Sequence, residues 1–594
     1  MKRSHYQESS PLRKLIAMIV EDRKEFLAII VYSFFHSLLF LAVPLAAQGL
    51  VNVVVSGLYL QPLIVLTGAL LFGLLSAGLL TLVRFYLVEV MRERIFARVA
   101  LRVGERLPRV CHRTLSESNG PELMNRFFDV INIQKSWFKL AYEGPGAVLE
   151  IVVGVFLLGI YGTELFGLSV VMIGIGCFLI VIAGFNGLKS SLAESGQKYR
   201  VAEWLEEMVR CQDALKLNSR PDFWVEETDR RVVRFLTERR KHFWVIVRQK
   251  TVYYTLSAVA LSGMLGMGGY LVIQGQLTLG QLVAAELVIW GILKASQKLI
   301  GLTESFFDLL TGLEKVSVIT AMEVDEPGRI RLKGNGTGAR VNLDSLYFTF
   351  HPSLPPAIDS LDLDIEPGEV ITILGGQGSG KSTLINLLSG FLRPVKGAIE
   401  IDEVDLREFE PNSLSDNVSV VCRQSDLFAG TLLDNVCTGR EIGLHNIKEL
   451  LNSCDGRSVL RHLSEGLNSQ LTSSGRAISG SEKDTLLLTR ALAGRPRLLL
   501  LDESLAFLSE RQQAHFARYL KSLGKSCTVV STLPIPALAA VSDRILILEE
   551  GRVVESGTPE SFVQSPDSAL RVLHPGFAMA LAHYLSESGG QRDD

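Results

Sequence analysis

The sequence predicts an α-helical membrane domain with six transmembrane helices, followed by an α/β nucleotide-binding domain. Long apolar segments occupy the chain up to about residue 310 and contribute to a hydrophobic fraction of 47%. Beyond them, short apolar runs alternate with helical stretches, as is typical of an α/β domain. The run from Gly375 to Thr383 fits the phosphate-binding loop pattern G-x-x-x-x-G-K-[ST] and follows an apolar stretch at 370–374. The chain therefore joins a membrane domain to a domain that binds a nucleoside triphosphate.

Six segments are apolar and long enough to cross a bilayer, at about residues 26–50, 62–88, 145–162, 165–184, 253–274 and 281–303. An even number of spans returns the chain to the side on which it started. The connections at 57–61, 162–164 and 274–280 contain no lysine or arginine, whereas the opposite connections are rich in both. By the positive-inside rule, both termini and the nucleotide-binding domain face the cytoplasm.

The change in sequence pattern also sets the expected domain boundaries. We expect a membrane domain at residues 1–310, a linker at 311–335, a nucleotide-binding domain at 336–565 and a C-terminal tail at 566–594. The last part of the tail, residues 586–594, is polar and is predicted to be disordered.

Two glutamates, Glu150 and Glu286, lie inside or near the apolar spans. A charge at the centre of a membrane helix costs roughly 2.5–3.5 kcal/mol on insertion scales, so either residue could line a substrate path. Both also lie near the ends of their segments, where an interfacial position is the alternative.

The phosphate-binding loop provides the first set of candidate nucleotide ligands. Its glycines permit a tight bend that points successive N–H groups at phosphate oxygens, and the following helix adds the positive end of its dipole. Lys381 is predicted to reach the β- and γ-phosphates, and Ser382 to offer its hydroxyl to Mg²⁺. The candidate nucleotide-binding residues of the loop are Gly375, Gly376, Gln377, Gly378, Ser379, Gly380, Lys381, Ser382 and Thr383.

A second motif is a run of four leucines, 498–501, that ends in Asp502 and Glu503. A fully apolar run of this kind predicts a central parallel strand whose carboxyl end points into a ligand site. Asp502 is predicted to hold Mg²⁺ through water. Glu503 is the candidate general base or water-positioning group, a role that contributes roughly 10²- to 10⁴-fold to a rate.

Charge and cysteine content exclude several other classes of function. The net charge of −3 gives no electrostatic reason to expect nucleic acid as a partner. The seven cysteines have no C-x-x-C spacing, so we interpret them as free thiols in a reducing compartment and not as a metal site or disulfide frame.

With both motifs in this order behind six spans, the chain resembles the ATP-binding cassette exporters, specifically half-transporters with one ATPase domain. The resemblance covers nearly the whole chain and is closest to the peptide and protein export (type I secretion) branch, without its N-terminal peptidase domain. It implies ATP and Mg²⁺ as cofactors, membrane lipid as surroundings, and a second half-transporter as partner, in a homodimer or a heterodimer. It further implies the bacterial inner (plasma) membrane as location and secretion accessory proteins as additional candidate partners.

The resemblance assigns four more site residues. Phe350 corresponds to the aromatic residue that stacks on adenine, and Gln424 to the glutamine that contacts Mg²⁺ and links nucleotide state to the membrane domain. Ser479 and Gly480 belong to the segment that clamps the γ-phosphate of ATP bound to the opposing subunit. The regions 119–126 and 202–210 are similar to the family's coupling helices.

The chain also departs from the family pattern at three places. The clamp Leu-Ser-Gly-Gly-Gln is replaced by a segment with Ser481 and Glu482, which crowd it and add negative charge. Ser509 replaces an aspartate, and residues 527–534 contain no histidine where the family has one that contacts the γ-phosphate. His515 lies elsewhere in the sequence. These departures predict firm ATP binding with slow or partner-dependent hydrolysis.

Two hypotheses about function follow. The first is an ATP-driven exporter subunit for a peptide or protein, a lipid or a drug-like molecule. The second is a transporter-like pseudoenzyme that binds ATP and regulates or scaffolds a partner transporter or secretion system. The six spans exclude a soluble P-loop kinase or GTPase, and the fused domains disfavour an importer.

Overall fold

The computed structural model describes residues 11–57, 60–112, 114, 120–218, 220–325, 328–334, 336–422, 425–456, 459–460, 465–471, 478–503, 505 and 507–590. It divides into two compact units, residues 1–324 and 325–594, which we treat separately. This division falls within the predicted linker 311–335.

In the part of the chain that is described, the first unit is built from α-helices of seven to 53 residues and one short 3₁₀ helix, Leu107–Arg109. The α-helices are α1 (Pro11–Glu21), α2 (Arg23–Phe40), α3 (Ala42–Ser56), α4 (Leu60–Arg106), α5 (Gly120–Phe127), α6 (Asp129–Tyr161), α7 (Thr163–Ala183), α8 (Gly187–Arg210), α9 (Gln212–Asn218), α10 (Pro221–Ile273) and α11 (Leu279–Thr320).

Five helical stretches in the described residues are long and apolar enough to cross a membrane: Arg23–Val55, Leu60–Arg109, Leu123–Tyr161, Asp222–Ile273 and Leu279–Thr320. They include five of the six predicted spans. The remaining predicted span, 165–184, corresponds to α7, whose apolar stretch Thr163–Leu179 is shorter. Helix α10 has 53 residues, far more than the roughly 20 that a bilayer requires. The basic parts of the long helices therefore extend beyond the apolar spans.

Two large apolar clusters, besides a small one around Leu123 and Met322, hold together the helices of the first unit in the part that the structure describes. One joins α2, α4, α6 and α11 around Ile29, Met91 and Trp137. The other joins α6, α7, α10 and α11 around Leu158 and Met264. Helices α6 and α11 approach closely at Gly154, where a Cβ would lie 2.9 Å from the Ile292 side chain. Small residues are usual at such contacts in membranes, because lipid leaves no hydrophobic driving force between helices.

The predicted coupling regions form short or terminal helical segments. Residues 120–126 of the first region lie in the eight-residue helix α5, and Asn119 lies outside the described residues. The second region, 202–210, forms the end of the long helix α8. A separate seven-residue helix, α9, follows it directly.

The second unit is an α/β domain with a six-stranded sheet in the order β12-β11-β3-β10-β9-β6, a four-stranded sheet in the order β2-β1-β4-β5, and a two-stranded ribbon of β7 and β8. The strands are β1 (Val341–Phe348), β2 (Ile358–Ile365), β3 (Val370–Leu374), β4 (Lys396–Ile401), β5 (Val404–Asp405), β6 (Val418–Cys422), β7 (Gly430–Thr431), β8 (Gln470–Leu471), β9 (Leu498–Asp502), β10 (Thr528–Ser531), β11 (Arg544–Glu549) and β12 (Arg552–Gly557).

Helices cover both faces of the larger sheet. They are α12 (Lys381–Leu388), α13 (Pro411–Asn417), α14 (Leu432–Cys437), α15 (Leu444–Ser453), α16 (Gly480–Ala493), α17 (Glu510–Leu523), α18 (Pro536–Val541), α19 (Pro559–Gln564), α20 (Ala569–Leu573) and α21 (Pro575–Gly590), with 3₁₀ turns at Leu406–Glu408, Gly466–Asn468 and Gly524–Ser526.

The order of the strands determines where a ligand site forms. Strand β10 pairs in parallel with both β3 and β9, and β9 pairs in parallel with β6. All five residues of β3 and of β9 are buried, as their continuous apolar runs predict. The carboxyl ends of these strands therefore meet at one edge of the sheet, which is where open α/β sheets bind ligands.

The C-terminal region differs from the predicted tail 566–594. Residues 569–573 and 575–590 are helical, so the part of the predicted disordered stretch that is described, 586–590, continues α21. Ala578 and Leu581 are buried against Phe562 and Ile547 of the second unit. The apolar residues upstream of the polar end hold this helix on the domain.

Candidate functional site

The phosphate-binding loop connects β3 to α12 through backbone conformations that favour glycine. Gly378 has φ +81° and Gly380 has φ +103°, in the left-handed region that side chains disfavour. A Cβ on Gly380 would lie 2.3 Å from the Ala357 carbonyl oxygen, so the glycine is also required for space. Gly376, Gln377 and Gly378 are exposed at the tip of the loop, where their N–H groups are available to a ligand.

Lys381 lies at the start of α12 and folds back over the loop. Its Nζ donates to the carbonyl oxygens of Gly375 at 3.0 Å and Gly376 at 2.8 Å, and to Ser379 Oγ at 3.3 Å. The loop thus encloses an ammonium group next to the N-terminus of a helix. Both features attract the oxygens of a phosphate.

Asp502, at the end of β9, is the centre of a buried hydrogen-bond network. One of its carboxylate oxygens, Oδ1, accepts from Ser382 Oγ at 2.9 Å and from Thr532 Oγ1 at 2.8 Å. Asp502 is only 6% exposed. The structure therefore brings together two of the three predicted Mg²⁺ ligands, Ser382 and Asp502; the third, Gln424, lies outside the described residues.

Thr532 is a site residue that the sequence analysis did not identify. It follows β10 directly, in the segment where the resembled family has a histidine. Besides its bond to Asp502, its Oγ1 accepts from the Glu503 N–H at 3.3 Å. The sequence did contain a signal for Thr532. It is a polar residue directly after the apolar strand β10, and such a residue lies at the ligand edge of the sheet.

Glu503 follows Asp502 in a strained backbone conformation. Its φ is +37°, which is uncommon for a residue with a side chain and is found mainly where the surroundings fix the geometry. The residue is exposed, so its carboxylate is accessible to a reacting group and to water.

The donor set suits Mg²⁺. Hydroxyl and carboxylate oxygens are the ligands that this ion prefers, usually with several retained waters and substrate phosphates. The Ser382 hydroxyl and the Asp502 carboxylate lie within one hydrogen bond of each other, 2.9 Å, beside the phosphate-binding loop.

The candidate adenine-stacking residue, Phe350, lies just after β1. Its ring is 53% exposed and packs edge to face on Phe348, with ring centroids 5.0 Å apart. An exposed aromatic ring with one anchored edge offers a free face for stacking. Gln424 lies outside the described residues.

The altered clamp segment begins α16. The Glu482 carboxylate accepts from the backbone N–H of Ser479 at 2.8 Å and from its hydroxyl at 2.9 Å, in a capping box. The ring of Phe507 lies over Gly480, because a Cβ there would be 2.7 Å from the ring. Phe507 itself is 70% exposed. The clamp surface thus consists of an internally bonded serine, a buried carboxylate and an aromatic ring.

The clamp is separate from the phosphate-binding loop of the same chain. Among the described residues, no hydrogen bond or ion pair joins Ser479 or Gly480 to residues 375–383. His515 lies on α17 beside Asn452 and Ser453, at a small surface recess.

Comparison with known proteins agrees with this arrangement. Residues 358–506 match the family described as ABC transporter, and residues 26–292 match the ABC transporter transmembrane region. The chain is 24% identical over 487 residues to an ATP-dependent lipid A-core flippase of Chromobacterium violaceum, which covers 80% of this chain and 81% of that protein.

Two further similarities extend the comparison. The chain is 27% identical over 313 residues to the α-hemolysin translocation ATP-binding protein HlyB of Escherichia coli, covering 52% of this chain and only 44% of that protein. The solved structure of a bacterial Atm1-family ABC exporter with ATP bound has the same fold, with a TM-score of 0.82 at 19% identity, over 94% of this chain and 98% of that one.

Proposed function

The chain is an ABC exporter with fused membrane and ATPase domains, and we propose that it forms one half of a dimeric transporter whose ATP hydrolysis is slow or dependent on its partner. This proposal rests on the hydrogen-bond network of Ser382, Asp502 and Thr532. Ser382 and Asp502 are the Mg²⁺ ligands that the chain retains, whereas Thr532 lies in the segment where the family has a histidine and cannot do the work of an imidazole.

Binding of ATP follows from the retained parts of the site. The N–H groups at the tip of the phosphate-binding loop hold the phosphates, and Lys381 moves from its carbonyl partners to the β- and γ-phosphates. Phe350 stacks on the adenine ring. Ser382 and Asp502 hold Mg²⁺, which neutralises charge on the phosphates during transfer.

Hydrolysis requires a positioned water. Glu503 is exposed at the carboxyl end of β9 and orients that water or accepts its proton. Gln424 is the proposed link between the nucleotide and the membrane domain. Thr532 donates its hydroxyl inward to Asp502, so it offers no donor to the γ-phosphate as an imidazole would. The loss of one preorganised donor typically reduces turnover by about 10²- to 10³-fold.

The altered clamp affects the second subunit. In the dimer, we expect Ser479 and Gly480 to face the ATP that the partner subunit holds. Glu482 already accepts both hydrogen bonds from Ser479. We propose that its carboxylate also adds negative charge next to the phosphates of the partner's ATP. This favours a heterodimer whose partner has an intact clamp, over a homodimer in which both sites carry both defects.

The transported substrate remains among three classes: a peptide or protein, a lipid, or a drug-like molecule. The relatives described above include a lipid A-core flippase and a toxin-translocation protein, which span two of these classes. We place the ATPase domain in the cytoplasm at the bacterial inner membrane, with secretion accessory proteins as further candidate partners.

The test is steady-state ATP hydrolysis by the purified full chain in lipid nanodiscs, beside Glu503→Gln and the control Glu449→Gln, an exposed carboxylate on α15. We expect a wild-type turnover of about 0.1 s⁻¹ or less, far below the ~10 s⁻¹ typical of enzymes, because the purified chain alone lacks the histidine and also carries the altered clamp. Glu503→Gln is expected to lower it by about 10²-fold or more, while ATP binding and the control variant are unchanged.

The alternative function is a pseudoenzyme that uses ATP occupancy to regulate or scaffold a partner. The clamp segment favours this alternative, because Ser479 donates its N–H and its hydroxyl to Glu482 of the same segment. Equal hydrolysis by the wild type and Glu503→Gln, together with tight ATP binding, would support this alternative. Hydrolysis that appears only after a second half-transporter is added would identify the heterodimer.

A further inference from the structure

Four ionisable side chains from four helices come together inside the membrane domain. They are His36 on α2, Arg84 on α4, Glu150 on α6 and Lys298 on α11, and we call them the intramembrane cluster. Glu150 pairs with Lys298, and Arg84 contacts α6 at Tyr142 and at Gly146, one turn before Glu150. His36 lies within electrostatic range of all three charged groups. Arg84 is 5% and Glu150 6% exposed.

Three of the four members of the intramembrane cluster lie at a similar depth. Arg84, Glu150 and Lys298 are each within about a turn and a half of the cytoplasmic end of their predicted spans, 62–88, 145–162 and 281–303. His36 lies further along the span 26–50, which also starts on the cytoplasmic side. The cluster therefore lies at the level of the cytoplasmic leaflet. Glu286 is separate, because it lies 12 residues or about 18 Å from Lys298 along α11.

The intramembrane cluster carries more positive than negative charge. Lys298 Nζ pairs with Glu150 Oε2 at 3.3 Å, and these two charges balance. The Arg84 guanidinium instead donates to the backbone carbonyl of Tyr142 and lies 5.3 Å from the centre of that residue's ring. Among the described residues Arg84 forms no ion pair of its own, and it shares the influence of the single Glu150 charge with Lys298. Charges inside membrane helices are rare and usually mark functional positions.

Three buried polar atoms in this region lack hydrogen-bond partners among the described residues. They are Arg84 Nε, His36 Nδ1 and Ser33 Oγ. Ser33 is fully buried and lies one turn before His36 on α2. Arg84 Nε is always a donor, and the hydroxyl and imidazole can donate as well. Because a buried donor without a partner is destabilising, the group that would complete this site is an acceptor.

The packing of α6 leaves space for the guanidinium. A Cβ on Gly146 would lie 2.9 Å from Arg84 Nη2, so a larger residue would displace the arginine. Gly146 directly follows Pro145, which lies inside α6 and removes a backbone donor there. The sequence around Pro145 thus accommodates a charged side chain between the helices.

We propose that the intramembrane cluster is a binding site for the anionic head group, a phosphate or a carboxylate, of an amphiphile in the cytoplasmic leaflet. Arg84 supplies the fixed positive charge, and Ser33 and His36 supply further hydrogen bonds. Lys298, whose side chain is 46% exposed, can leave Glu150 to contact the head group. If the ligand is the cargo, the inference rests on the proposed export function; binding itself does not depend on it.

The test measures lipid binding directly and does not require ATP hydrolysis. The purified full chain is titrated with phosphatidylglycerol in phosphatidylcholine nanodiscs, and bound lipid is counted by native mass spectrometry. We expect Arg84→Gln and Lys298→Gln to weaken phosphatidylglycerol binding by about 10- to 100-fold each. The control Lys139→Gln, which removes one exposed charge outside the spans, should leave binding unchanged.

Glu150→Gln provides the decisive comparison, because it removes the internal anion that competes for Lys298. We expect this variant to bind phosphatidylglycerol more tightly than the wild type, by about 10-fold. If the cluster only stabilises the packing of the helices, Arg84→Gln should lower the stability of the fold. Glu150→Gln and Lys298→Gln would then not change lipid binding in opposite directions, and that result would overturn the proposal.

A second arm identifies the source of the anion. Inorganic phosphate is added to the phosphatidylcholine nanodiscs in place of the anionic lipid. Protection of the wild type against thermal unfolding by phosphate alone, with no preference for phosphatidylglycerol, would overturn the amphiphile assignment. Selective phosphatidylglycerol binding in a chain that hydrolyses no ATP would support the site while the export function fails, so the two proposals are separately testable.

Discussion

The hydroxyl of Thr532 donates to the carboxylate of Asp502 over 2.8 Å, and the same carboxylate oxygen accepts from Ser382. Thr532, at the end of β10, thus fixes the position of Asp502 at the end of β9, because β10 lies between β3 and β9 in the sheet. Thr532 also accepts the N–H of Glu503, so one buried hydroxyl connects the Mg²⁺ ligand with the candidate base. In this chain the residue after β10 therefore holds Asp502 and the Glu503 backbone in place through hydrogen bonds.

Replacing Thr532 tests that role. Thr532→Val keeps the shape but removes the hydroxyl, which leaves Asp502 with one fewer donor in a buried position. We expect the free energy of unfolding of the ATPase unit to fall by about 1–3 kcal/mol, and ATP turnover to fall with it. Thermal unfolding and hydrolysis assays check both. Thr532→Ser retains the hydroxyl and should recover most of both losses; an equal defect in the serine variant would assign the effect to packing.

Lys381 is expected to control ATP affinity. Its Nζ is held by two loop carbonyls and is the cation closest to the proposed phosphate position. Lys381→Ala should weaken binding of a fluorescent ATP analogue by about 10- to 100-fold, since a charge-assisted hydrogen bond is lost. Lys525→Ala removes an exposed lysine at the amino end of β10, the opposite edge of the sheet, and serves as the control. Equal affinities in both variants would contradict the assignment of the loop.

Glu482→Gln is expected to raise ATP turnover. The amide oxygen of glutamine can still accept from the Ser479 N–H, so the helix cap survives. The substitution removes the negative charge that we propose lies near the partner's phosphates. A charge pair at about 4 Å is worth roughly 4 kcal/mol near a protein surface, so a rise of 10-fold or more is reasonable. Glu510→Gln, in the first turn of α17, is the control. Unchanged turnover would show that the clamp does not limit the rate.

The sequence predicted the parts of the structure that depend on neighbouring residues. The phosphate-binding loop between β3 and α12, and Asp502 at the end of a buried strand, follow from local pattern and were located at the expected edge of the sheet. The membrane helices were predicted for the same reason, since length and apolar content determine a span.

Contacts between distant segments could not be predicted in this way. Thr532 and Asp502 are 30 residues apart and meet only because of the strand order. The Lys298 and Glu150 pair spans 148 residues and depends on how α6 and α11 pack. The ring of Phe507 over Gly480 likewise follows from the return of the chain after β9. The helix α21 was not predicted because the tail was judged from its polar last residues, whereas the apolar residues Ala578 and Leu581 pack it against the domain.

A buried lysine outside the membrane spans predicts a dependence of stability on pH. Lys315, on the part of α11 beyond the last span, donates to Ser195 Oγ at 2.5 Å and lies 3.5 Å from the centre of the Tyr199 ring. Burial lowers its pKa from 10.5 to about 8, against the opposing effect of Asp129. Lys198 and Arg126 lower it further, and Glu314 raises it.

The sign of the effect follows from proton counts. Below pH 8, the amine is charged in both the folded and the unfolded chain, so the penalty of burial is fully present. Between about pH 8 and 10, the folded chain has lost this proton while the unfolded chain retains it, so stability rises with pH. Above pH 10 the raised pKa of Tyr199, due to burial and its bond to Asp129, acts in the opposite direction.

Lys315→Met removes the titrating group and should flatten this rise. Thermal unfolding of the full chain in nanodiscs between pH 7 and pH 10 measures it, with Lys139→Met, an exposed lysine on α6, as the control. We expect the melting temperature of the wild type and of the control to increase with pH relative to that of Lys315→Met. Parallel pH profiles for all three proteins would show that Lys315 keeps its proton throughout this range, and that the contacts with Asp129 and Tyr199 outweigh its burial.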